Sequence, residues 1–344
     1  MKTDRDNTED LNNPWHPGEL AVRARAGDSN KVTAMGAVLI RDHMPDQHRQ
    51  LFEQLPMLIL GAEDQAGDLW ATALFGEPGF IRSPSPTQLD VHIRLPRHDP
   101  LADSLNQGCL VGLLGIQQIT RRRNRCNGVI RARDDNGFSV TVSQSFGNCP
   151  KYITTRCPPP RLDDRQLRSE AFSRWSDRVI EMIATADTFF IASAFNDGRQ
   201  SRNRGVDVSH RGGEPGFLKF DGQQRLLIPD YAGNNFFNTI GNLTLEPRVG
   251  LLFMDFDSGE TAHLTGTAEI VWSNEEELPF AGVERMIRVT LKKGRKKEGK
   301  REDKRRLLQQ SRQVTRPKQK QLALPEHTTS PTALRLPSPQ PWWA

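Results

Sequence analysis

The chain has 344 residues, enough for two domains of ordinary size, and its hydrophobic content of 36% is low for a chain that folds throughout. Its net charge of +5 is concentrated at one end, because residues 291–344 carry 15 Lys and Arg against 4 Asp and Glu. The first 290 residues are therefore net negative, which argues against nucleic-acid binding by the folded part. The sequence shows no signal-peptide pattern and no apolar run of membrane length, so we expect a soluble, cytoplasmic protein.

In the first half, two short helices precede a series of strands. Apolar residues at helical spacing predict helices at 19–27 and 46–55. Apolar runs bounded by turn residues predict strands at 57–62, 69–74, 89–95, 109–116, 128–133 and 138–142, with a short helix at 99–105. This order is typical of a small, mostly antiparallel barrel.

The second half follows a proline-rich segment that begins TRCPPPR at Thr155, from which we predict a linker over residues 155–170. Beyond it, the same reasoning predicts helices at 173–185 and 234–245. The predicted strands lie at 188–195, 206–209, 217–220, 226–228, 249–256 and 263–272.

The two halves share short strings at nearly one spacing. The string GEPGF occurs at 76–80 and 213–217, an offset of 137 residues. VGLL occurs at 111–114 and 249–252, and Asn127-Gly128 matches Thr265-Gly266, both at an offset of 138 residues. The order and spacing predict a duplicated barrel whose halves, at 15–154 and 171–290, pack like the two subunits of a homodimer.

Both ends of the chain are predicted to lie outside the barrels. Residues 1–14 are polar and are expected to form a disordered arm. Residues 291–344 are basic and of low complexity, so they are expected to form a disordered tail whose removal from residue 295 onward leaves the melting temperature unchanged. The alternative, a nucleic-acid-binding arm, lacks aromatic residues within the basic run for base stacking.

No cysteine pair has metal-binding spacing. The four cysteines include no C-x-x-C, and no histidine pair lies at zinc spacing, so we predict reduced thiols and no metal site. Walker A, nucleophile-elbow and dinucleotide-binding glycine motifs are also absent from the sequence.

The residues 206–242 carry the best candidate site. Arg211 stands next to a glycine pair, and a guanidinium grips a phosphate with two parallel hydrogen bonds. Asn234 is a natural N-cap for the predicted helix, whose first turn presents free N–H groups. Tyr231 and Phe217 are placed to flank a flat ring. Spacing alone leaves two interpretations open: a pocket for a flat, phosphorylated cofactor, or a structural network of turns.

Five strings resemble the FMN-binding split-barrel proteins of the pyridoxamine 5′-phosphate oxidase-like family, in the subgroup with two tandem units. They are VDVSHRGGEPGF (206–217), IPDYAGNNFFNTIGNL (228–243), EPRVGLLFMDF (246–256), LLGIQQITRRRNRCNG (113–128) and VSQSFGNCPKYI (142–153). The resemblance implies a mainly β fold of two six-stranded antiparallel split barrels with FMN at their junction. The cofactor-binding residues that it implies are Ser209, His210, Arg211, Asp230, Asn234, Asn235, Asn238 and Asn242, with Gln144 and Ser145 supplied by the first half.

The first half departs from this pattern, because it has lost the SHRG string and shows ATALFG at 71–76. One functional site is therefore expected, with the first half as scaffold. The family's Arg-Lys pair on the phosphate is replaced by Asn234-Asn235, so the positive charge is expected from Arg211, Lys219 or Arg248.

The resemblance implies an FMN-dependent oxidoreductase that acts on a small-molecule substrate or an electron donor such as NAD(P)H, as a monomeric pseudo-dimer or a homodimer. His210 is the candidate proton donor, with a structural histidine as the alternative. A second function class remains open: a flavin-binding sensor or carrier without turnover.

Overall fold

The computed structural model describes residues 13–27, 30–162 and 167–299. The first half forms a seven-stranded antiparallel sheet in the order β2-β1-β5-β6-β7-β4-β3. Its strands are β1 (Met57–Glu63), β2 (Leu69–Phe75), β3 (Ile81–Ser85), β4 (Gln88–Val91), β5 (Leu110–Gln117), β6 (Arg122–Asp134) and β7 (Gly137–Gly147).

The second half forms an eight-stranded sheet whose main path runs β10-β9-β13-β14-β15-β12-β11. Its strands are β8 (Arg168–Phe172), β9 (Thr188–Phe195), β10 (Gly205–Gly212), β11 (Lys219–Phe220), β12 (Leu226–Pro229), β13 (Arg248–Met254), β14 (Thr261–Trp272) and β15 (Arg285–Glu298). Within the described ranges the helices are α1 (Pro17–Arg25), α2 (Asn30–Leu39), α3 (Asp46–Gln54), α4 (Asp177–Thr185) and α5 (Asn238–Leu245), and a 3₁₀ turn covers Gln118–Thr120. None of the helices in these ranges is long and apolar enough to cross a membrane.

The two sheets have the same strand order, since β2 corresponds to β10, β1 to β9, and so on around each path. The matched glycines also behave alike: the β6–β7 ladder shifts register at Gly128, and the β14–β15 ladder shifts at Gly266. The predicted mainly β fold of two antiparallel, split-barrel-like domains is confirmed. The predicted count of six strands in each half is too low, because β3 was not predicted in the first half and β8 and β15 were not predicted in the second.

Each sheet encloses its own apolar core, and a third cluster joins the two halves. In this shared cluster, side chains of β1, β2 and β5 meet those of β9, β10 and β13. Two matched glycines allow the close approach: a Cβ on Gly112 would lie 2.4 Å from the Val206 carbonyl oxygen, and one on Gly250 would lie 2.6 Å from Trp70 Cα. The halves therefore share a continuous interior.

Helix α1 belongs to this junction. It packs on α5 of the second half, where a Cβ on Gly18 would lie 2.2 Å from the Gly241 carbonyl oxygen. Its N-cap, His16, accepts a hydrogen bond from the Gly18 N–H, and Glu19 accepts one from the His16 N–H in return. The N-terminal segment of the first half thus lies against the second.

The predicted boundary at residue 290 is wrong by eight residues. Strand β15 continues to Glu298, and it pairs with β14 from Thr261↔Lys297 onward and with β8 on its other edge. The predicted linker likewise ends in a strand, since β8 begins at Arg168. Residues 1–12 and 300–344, which include most of the two predicted disordered ends, lie outside the described residues.

The helices also differ from the prediction, and the one predicted at 173–185 begins at Asp177. Residues 99–105 form turns instead of a helix, and α2 was not predicted. Helix α5 begins at Asn238, four residues later than predicted, because Asn235 and Phe237 adopt positive φ angles of 58° and 56° and so interrupt a helix there.

Candidate functional site

A polar pocket opens where the two halves meet. Strand β6 and the segment after β7 form one wall, and β10, the end of β12 and the Asn-rich turn before α5 form the other. The empty space of the pocket is about 850 Å³, which includes solvent at its open mouth. Of the predicted site residues, it is lined by Ser209, His210, Arg211, Asp230, Asn234, Asn235 and Asn238. Whether they bind a cofactor stays a prediction.

Ser209 lies on β10 at the back of the pocket and is 4% exposed. Its hydroxyl accepts a short hydrogen bond from Arg125 Nη2 and shares another of 2.9 Å with Thr239 Oγ1. Arg125 comes from β6, so this contact joins the two halves. Its Nη1 also donates to Asn238 Oδ1 (3.2 Å) and forms a buried ion pair with Asp207 (3.1 Å).

His210 is buried, and its ring contacts Phe190 edge-on. Arg123 Nη1 donates to His210 Nδ1 at 3.2 Å, so the ring hydrogen resides on Nε2. Nε2 has no hydrogen-bond partner among the described residues. Burial, followed by the charges of Arg123, Arg156 and Arg211, lowers the pKa of His210 well below its usual value. The imidazole is therefore neutral at physiological pH.

Arg211 and Asp230 belong to an ion cluster that also contains Arg285. Asp230 accepts a short hydrogen bond from Arg211 Nη1 and one of 2.7 Å from Arg285 Nε. Arg285 lies on β15 and is 5% exposed in its side chain. Arg285 Nη1 also pairs with Glu284 at 3.1 Å, so the two arginines are matched by two carboxylates.

The Asn-rich turn has a different geometry from the one predicted. Asn234 does not cap α5: its Oδ1 accepts a hydrogen bond from the Phe236 N–H at 3.2 Å and closes a local turn. The N-cap position is Phe237, which makes no side-chain capping bond. Asn234 and Asn235 line the pocket, but the helix N-terminus starts beyond them.

Three predicted residues lie away from the pocket. Asn242 is buried in the second half, where its Nδ2 donates to Ser193 Oγ (3.0 Å) and Asp207 Oδ2 (2.9 Å). Gln144 Nε2 donates to the Pro14 carbonyl, and Ser145 Oγ bonds His48 Nδ1 at 2.9 Å. Asn148 and Cys149, which follow β7, line the pocket in place of Gln144 and Ser145.

Arg123 is the main pocket residue that sequence reasoning missed. Its Nε and Nη2 donate to the Cys149 carbonyl at 2.9 and 2.6 Å, and its Nη1 contacts His210. No carboxylate in the described part of the chain lies within ion-pair distance of it. Burial, then the neighbouring charge of Arg125, lowers its pKa to about 10, so it remains a cation at neutral pH. Its charge is uncompensated.

The other two proposed sources of positive charge point elsewhere. Lys219 bonds the Pro279 carbonyl, and Arg248 pairs with Glu246 and Glu63. Neither lines the pocket, so the cationic side chains there are those of Arg123, Arg125, Lys151 and Arg211.

Aromatic side chains form part of the pocket wall. Tyr231 stacks on Tyr152 of the first half, with ring centroids 5.6 Å apart and planes at 30°. Tyr152 OH donates to the Ala232 carbonyl at 3.1 Å. Phe217, the other predicted ring neighbour, lines the pocket from the core, where it stacks on Phe189.

A buried polar network lies behind the pocket. Glu19 of α1 accepts hydrogen bonds from the His16 N–H (3.0 Å) and from Asn238 Nδ2. Burial, and next the charge of Asp207, raises the pKa of Glu19 to about 8, so it carries a proton at neutral pH. A pocket residue, Asn238, is thus held between a protonated carboxyl group and Arg125.

A second cavity lies at the equivalent position of the other half, and its walls are mostly apolar. With the offset of the GEPGF strings, Ser209, His210 and Arg211 correspond to Thr72, Ala73 and Leu74. The corresponding cavity holds about 620 Å³, and its lining includes Ala73, Leu74, Phe75, Ile93, His263 and Lys297. Lys297 Nζ binds the buried carboxylate of Asp99 at 2.8 Å, and Thr72 donates to the same oxygen. Lys297 is therefore neutralised, and the other cations of the lining are Arg94 and Arg161.

Comparison with known proteins gives a match in the second half. Residues 176–315 match the family model described as pyridoxamine 5′-phosphate oxidase. No curated protein matches the chain.

Solved structures that are similar to this chain cover about a third of its length. A putative pyridoxamine 5′-phosphate oxidase from Lactobacillus delbrueckii is 12% identical over 31% of this chain and 95% of that chain, with a TM-score of 0.25. An FAD-binding protein from Mesorhizobium loti is 13% identical over 38% of this chain and 97% of that chain, with a TM-score of 0.24. The heme storage protein from Vibrio cholerae is 13% identical over 34% and 90%, with a TM-score of 0.23.

The family match begins at Ser176, immediately before α4, and takes in the whole of β9 to β15. These elements carry the pocket's Ser209–Arg211 and Asp230–Asn238 segments. Over residues 176–315, the second half of the chain is therefore similar to the pyridoxamine 5′-phosphate oxidase family.

Proposed function

We propose that the pocket between the two halves binds FMN and that the protein is an FMN-dependent oxidoreductase. One observation carries this proposal: Arg123 presents an uncompensated charge beside a polar pocket that contains two stacked tyrosines. A buried charge without a partner is costly, so a site of this kind favours an anionic ligand. A flat ring on the same ligand accounts for the aromatic wall.

The described residues fit such a ligand. Arg123, Arg211 and Lys151 supply the cations for a phosphate, and the guanidinium groups offer paired donors. Three buried polar atoms around the pocket lack partners among the described residues: His210 Nε2, Asn148 Oδ1 and Arg125 Nε. Because buried polar groups are nearly always hydrogen-bonded, these atoms support a polar occupant.

When bound, the flavin supplies the electron-transfer chemistry. The protein's part is electrostatic, since the arginines of the pocket favour negative charge on a ligand. His210 is neutral, so it supports a hydrogen bond through Nε2–H and does not act as a cationic acid. Both carboxylate oxygens of Asp230 are engaged by arginines, Oδ1 by Arg211 and Oδ2 by Arg285.

The test is the flavin content of the purified protein and of two variants. Arg123→Gln should weaken FMN binding by about 1.5–3 kcal/mol, the value of a charge-assisted hydrogen bond, or roughly 10–150-fold. Arg131→Gln is the matched control, because Arg131 lies on the same strand and bonds Gln88 at the exposed surface. Mass measurement of the released cofactor distinguishes FMN from FAD.

Unchanged flavin occupancy in Arg123→Gln, at an unchanged melting temperature, would show that Arg123 serves the fold alone. Absence of any flavin from protein refolded with excess FMN would contradict the whole proposal.

A flavin carrier without turnover is the second candidate. It is favoured by the state of the pocket's acid–base groups, since His210 is neutral and Asp230 is ion-paired on both oxygens. Reduction of the bound flavin by NADPH or NADH, followed by reoxidation in air, supports the enzyme. A flavin that stays oxidised with both donors supports the carrier.

A further inference from the structure

Behind the pocket, α1 carries a buried glutamate into the junction between the two halves. Glu19 stands three residues after the N-cap His16 and is 2% exposed. Its Oε2 accepts a hydrogen bond from the His16 N–H at 3.0 Å, which is one arm of a capping box and holds the side chain in place. Helix α5 lies directly against it, since a Cβ on Gly241 would be 2.8 Å from Glu19 Cγ. The carboxyl group therefore lies against the first turn of α5.

Asn238, the first residue of α5, has a partner on each side of its amide. Its Nδ2 donates a short hydrogen bond to Glu19 Oε1, and its Oδ1 accepts one of 3.2 Å from Arg125 Nη1. An amide presents donors on one side and an acceptor on the other, so these two partners allow a single orientation. Asn238 lines the pocket, whereas Glu19 does not. Glu19 thus fixes a pocket side chain from behind the wall.

The same contact affects the charge of the pocket wall. The charged groups that face Glu19 are Arg23 of α1, Asp207 of β10 and Arg125 of β6. His16 is neutral at physiological pH, because burial lowers its pKa to about 4. Asp207 already pairs with Arg125 at 3.1 Å. A second carboxylate charge beside Arg125 would offset the positive charge that this guanidinium presents to the pocket.

We propose that Glu19 is a positioning residue of the flavin site, which orients Asn238 while it is neutral and weakens anion binding once it is ionised. The proposal rests on the proposed function, since its site is the flavin pocket. The sign follows from the raised pKa of Glu19: the carboxyl group is neutral below about pH 8 and charged above it. Affinity for an anionic flavin should therefore be highest below that pH and fall as the pH rises through it.

The test measures the FMN affinity of the flavin-depleted, full-length protein by the quenching of flavin fluorescence, between about pH 7 and pH 9. The FMN phosphate is largely ionised across this range, so its own titration contributes little. The variants are Glu19→Gln, which stays neutral with a similar shape, and Glu19→Ala, which removes the partner of Asn238. The matched control is Glu275→Gln, because Glu275 pairs with Arg25 of the same helix at the exposed surface.

In the wild type and in Glu275→Gln, FMN binding should weaken about five- to tenfold from about pH 7 to pH 9, as the linkage of one ionisation to binding allows. Glu19→Gln should remove this fall and bind within about threefold of the wild type at neutral pH. Glu19→Ala should lack the fall too, but it should bind about tenfold more weakly at neutral pH, because the amide of Asn238 is no longer fixed. Arg123, with its pKa of about 10, titrates alike in all four proteins.

A pH dependence of Glu19→Gln as steep as that of the wild type would overturn the proposal. Equal FMN affinities of Glu19→Ala and Glu19→Gln at neutral pH would overturn it as well, since Asn238 would then need no partner. The pH profile of Glu19→Gln decides the matter even where Glu19→Ala does not fold.

Sulfate, whose charge is constant over this range, is the second probe, in calorimetric titrations of the same proteins. A protein that binds no FMN but loses sulfate affinity as Glu19 ionises would contradict the flavin function and keep the role of Glu19. FMN binding that ignores both Glu19 variants would keep the flavin function and overturn the role of Glu19. The two failures are therefore distinguishable.

Discussion

Strand β15 extends to Glu298, and this brings Lys297 into a buried ion pair with Asp99. The two side chains are 8% and 0% exposed, and their charged atoms are 2.8 Å apart. Lys297→Ala leaves the Asp99 carboxylate buried without its cation. Breaking a buried pair in this way costs about 3–5 kcal/mol, which is a large part of the stability of an ordinary domain.

Two further variants separate this effect from a simple loss of charge. Lys292 lies on the same strand as Lys297 and pairs with Asp68. Its side chain is 59% exposed, so Lys292→Ala should lower the free energy of unfolding by about 0–1 kcal/mol. Asp99→Asn/Lys297→Met removes both charges and keeps an acceptor for the Leu101 N–H. Since the paired groups also lose their desolvation penalty, this double variant should be close to the wild type.

The pH dependence of the free energy of unfolding tests the contribution of the Lys297–Asp99 pair. Burial opposes ionisation of Asp99, but the ammonium group of Lys297, His263 and the hydrogen bond from Thr72 hold its pKa below the usual value. The pair therefore stabilises the protein fully above about pH 4, the unfolded pKa, and this contribution is lost as pH falls through the native pKa. In Lys297→Ala, burial raises the pKa of Asp99, so the difference from the wild type should shrink in acid.

Urea denaturation at pH 7 and at acid pH measures these differences directly. A cost for Lys297→Ala no larger than that for Lys292→Ala at pH 7 would refute the reasoning. A double variant as unstable as Lys297→Ala would show that the packing of Lys297, and not charge compensation, carries the effect.

Three further predictions concern the junction and the chain end. A chain that ends at residue 299 should fold as the wild type does, whereas one that ends at 290 loses the end of β15 and should be unfolded or aggregated by circular dichroism. Gly112→Ala places a Cβ 2.4 Å from the Val206 carbonyl and should cost about 1–3 kcal/mol by urea denaturation, while Gly222→Ala meets nothing within 4 Å and should cost little. Glu19, with its pKa raised to about 8, makes the protein less stable as pH rises from about 4 to 8, so Glu19→Gln should flatten the urea midpoint over that range.

The repeated strings predicted the duplication because they mark the turns and strands that a sheet needs. GEPGF bends the chain after β2 and after β10, and VGLL lies in β5 and β13. Strands of the same pattern, joined by the same turns, form sheets of the same order. The alternation of apolar residues, together with the repeated turns, therefore predicted most of the fold.

Strand β15 was not predicted, and its end was assigned to the tail because its pattern resembles a solvated tail. LKKGRKKE has few apolar residues, yet Lys296 and Lys297 are buried on partners that lie far away in the sequence. Lys296 pairs with Glu260 and Glu298, and Lys297 pairs with Asp99. Burial of charge in this way depends on tertiary partners, which periodicity does not reveal.

The pocket was predicted in its second-half wall and missed in its first-half wall. SHR and AGNN stand on β10 and in the turn before α5, where glycines and asparagines mark them. Arg123 and Arg125 alternate along β6, so one period-2 face of the TRRRNR run was a possible signal. The direction of that face depends on how the halves pack, and local patterns do not contain that information.

The difference between the two cavities predicts how many flavins each chain binds. Both lie at the junction and both have one wall from each half, so backbone geometry does not distinguish them. Side chains do: Arg123 and Arg211 line one cavity, whereas Thr261 and Leu74 stand at the matched positions of the other, and Lys297 there is paired with Asp99. A phosphate finds that pair of arginines in only one of them. The flavin-loaded protein should therefore hold one flavin per chain by absorbance and protein mass, and a ratio of two would show that the cavities are equivalent after all.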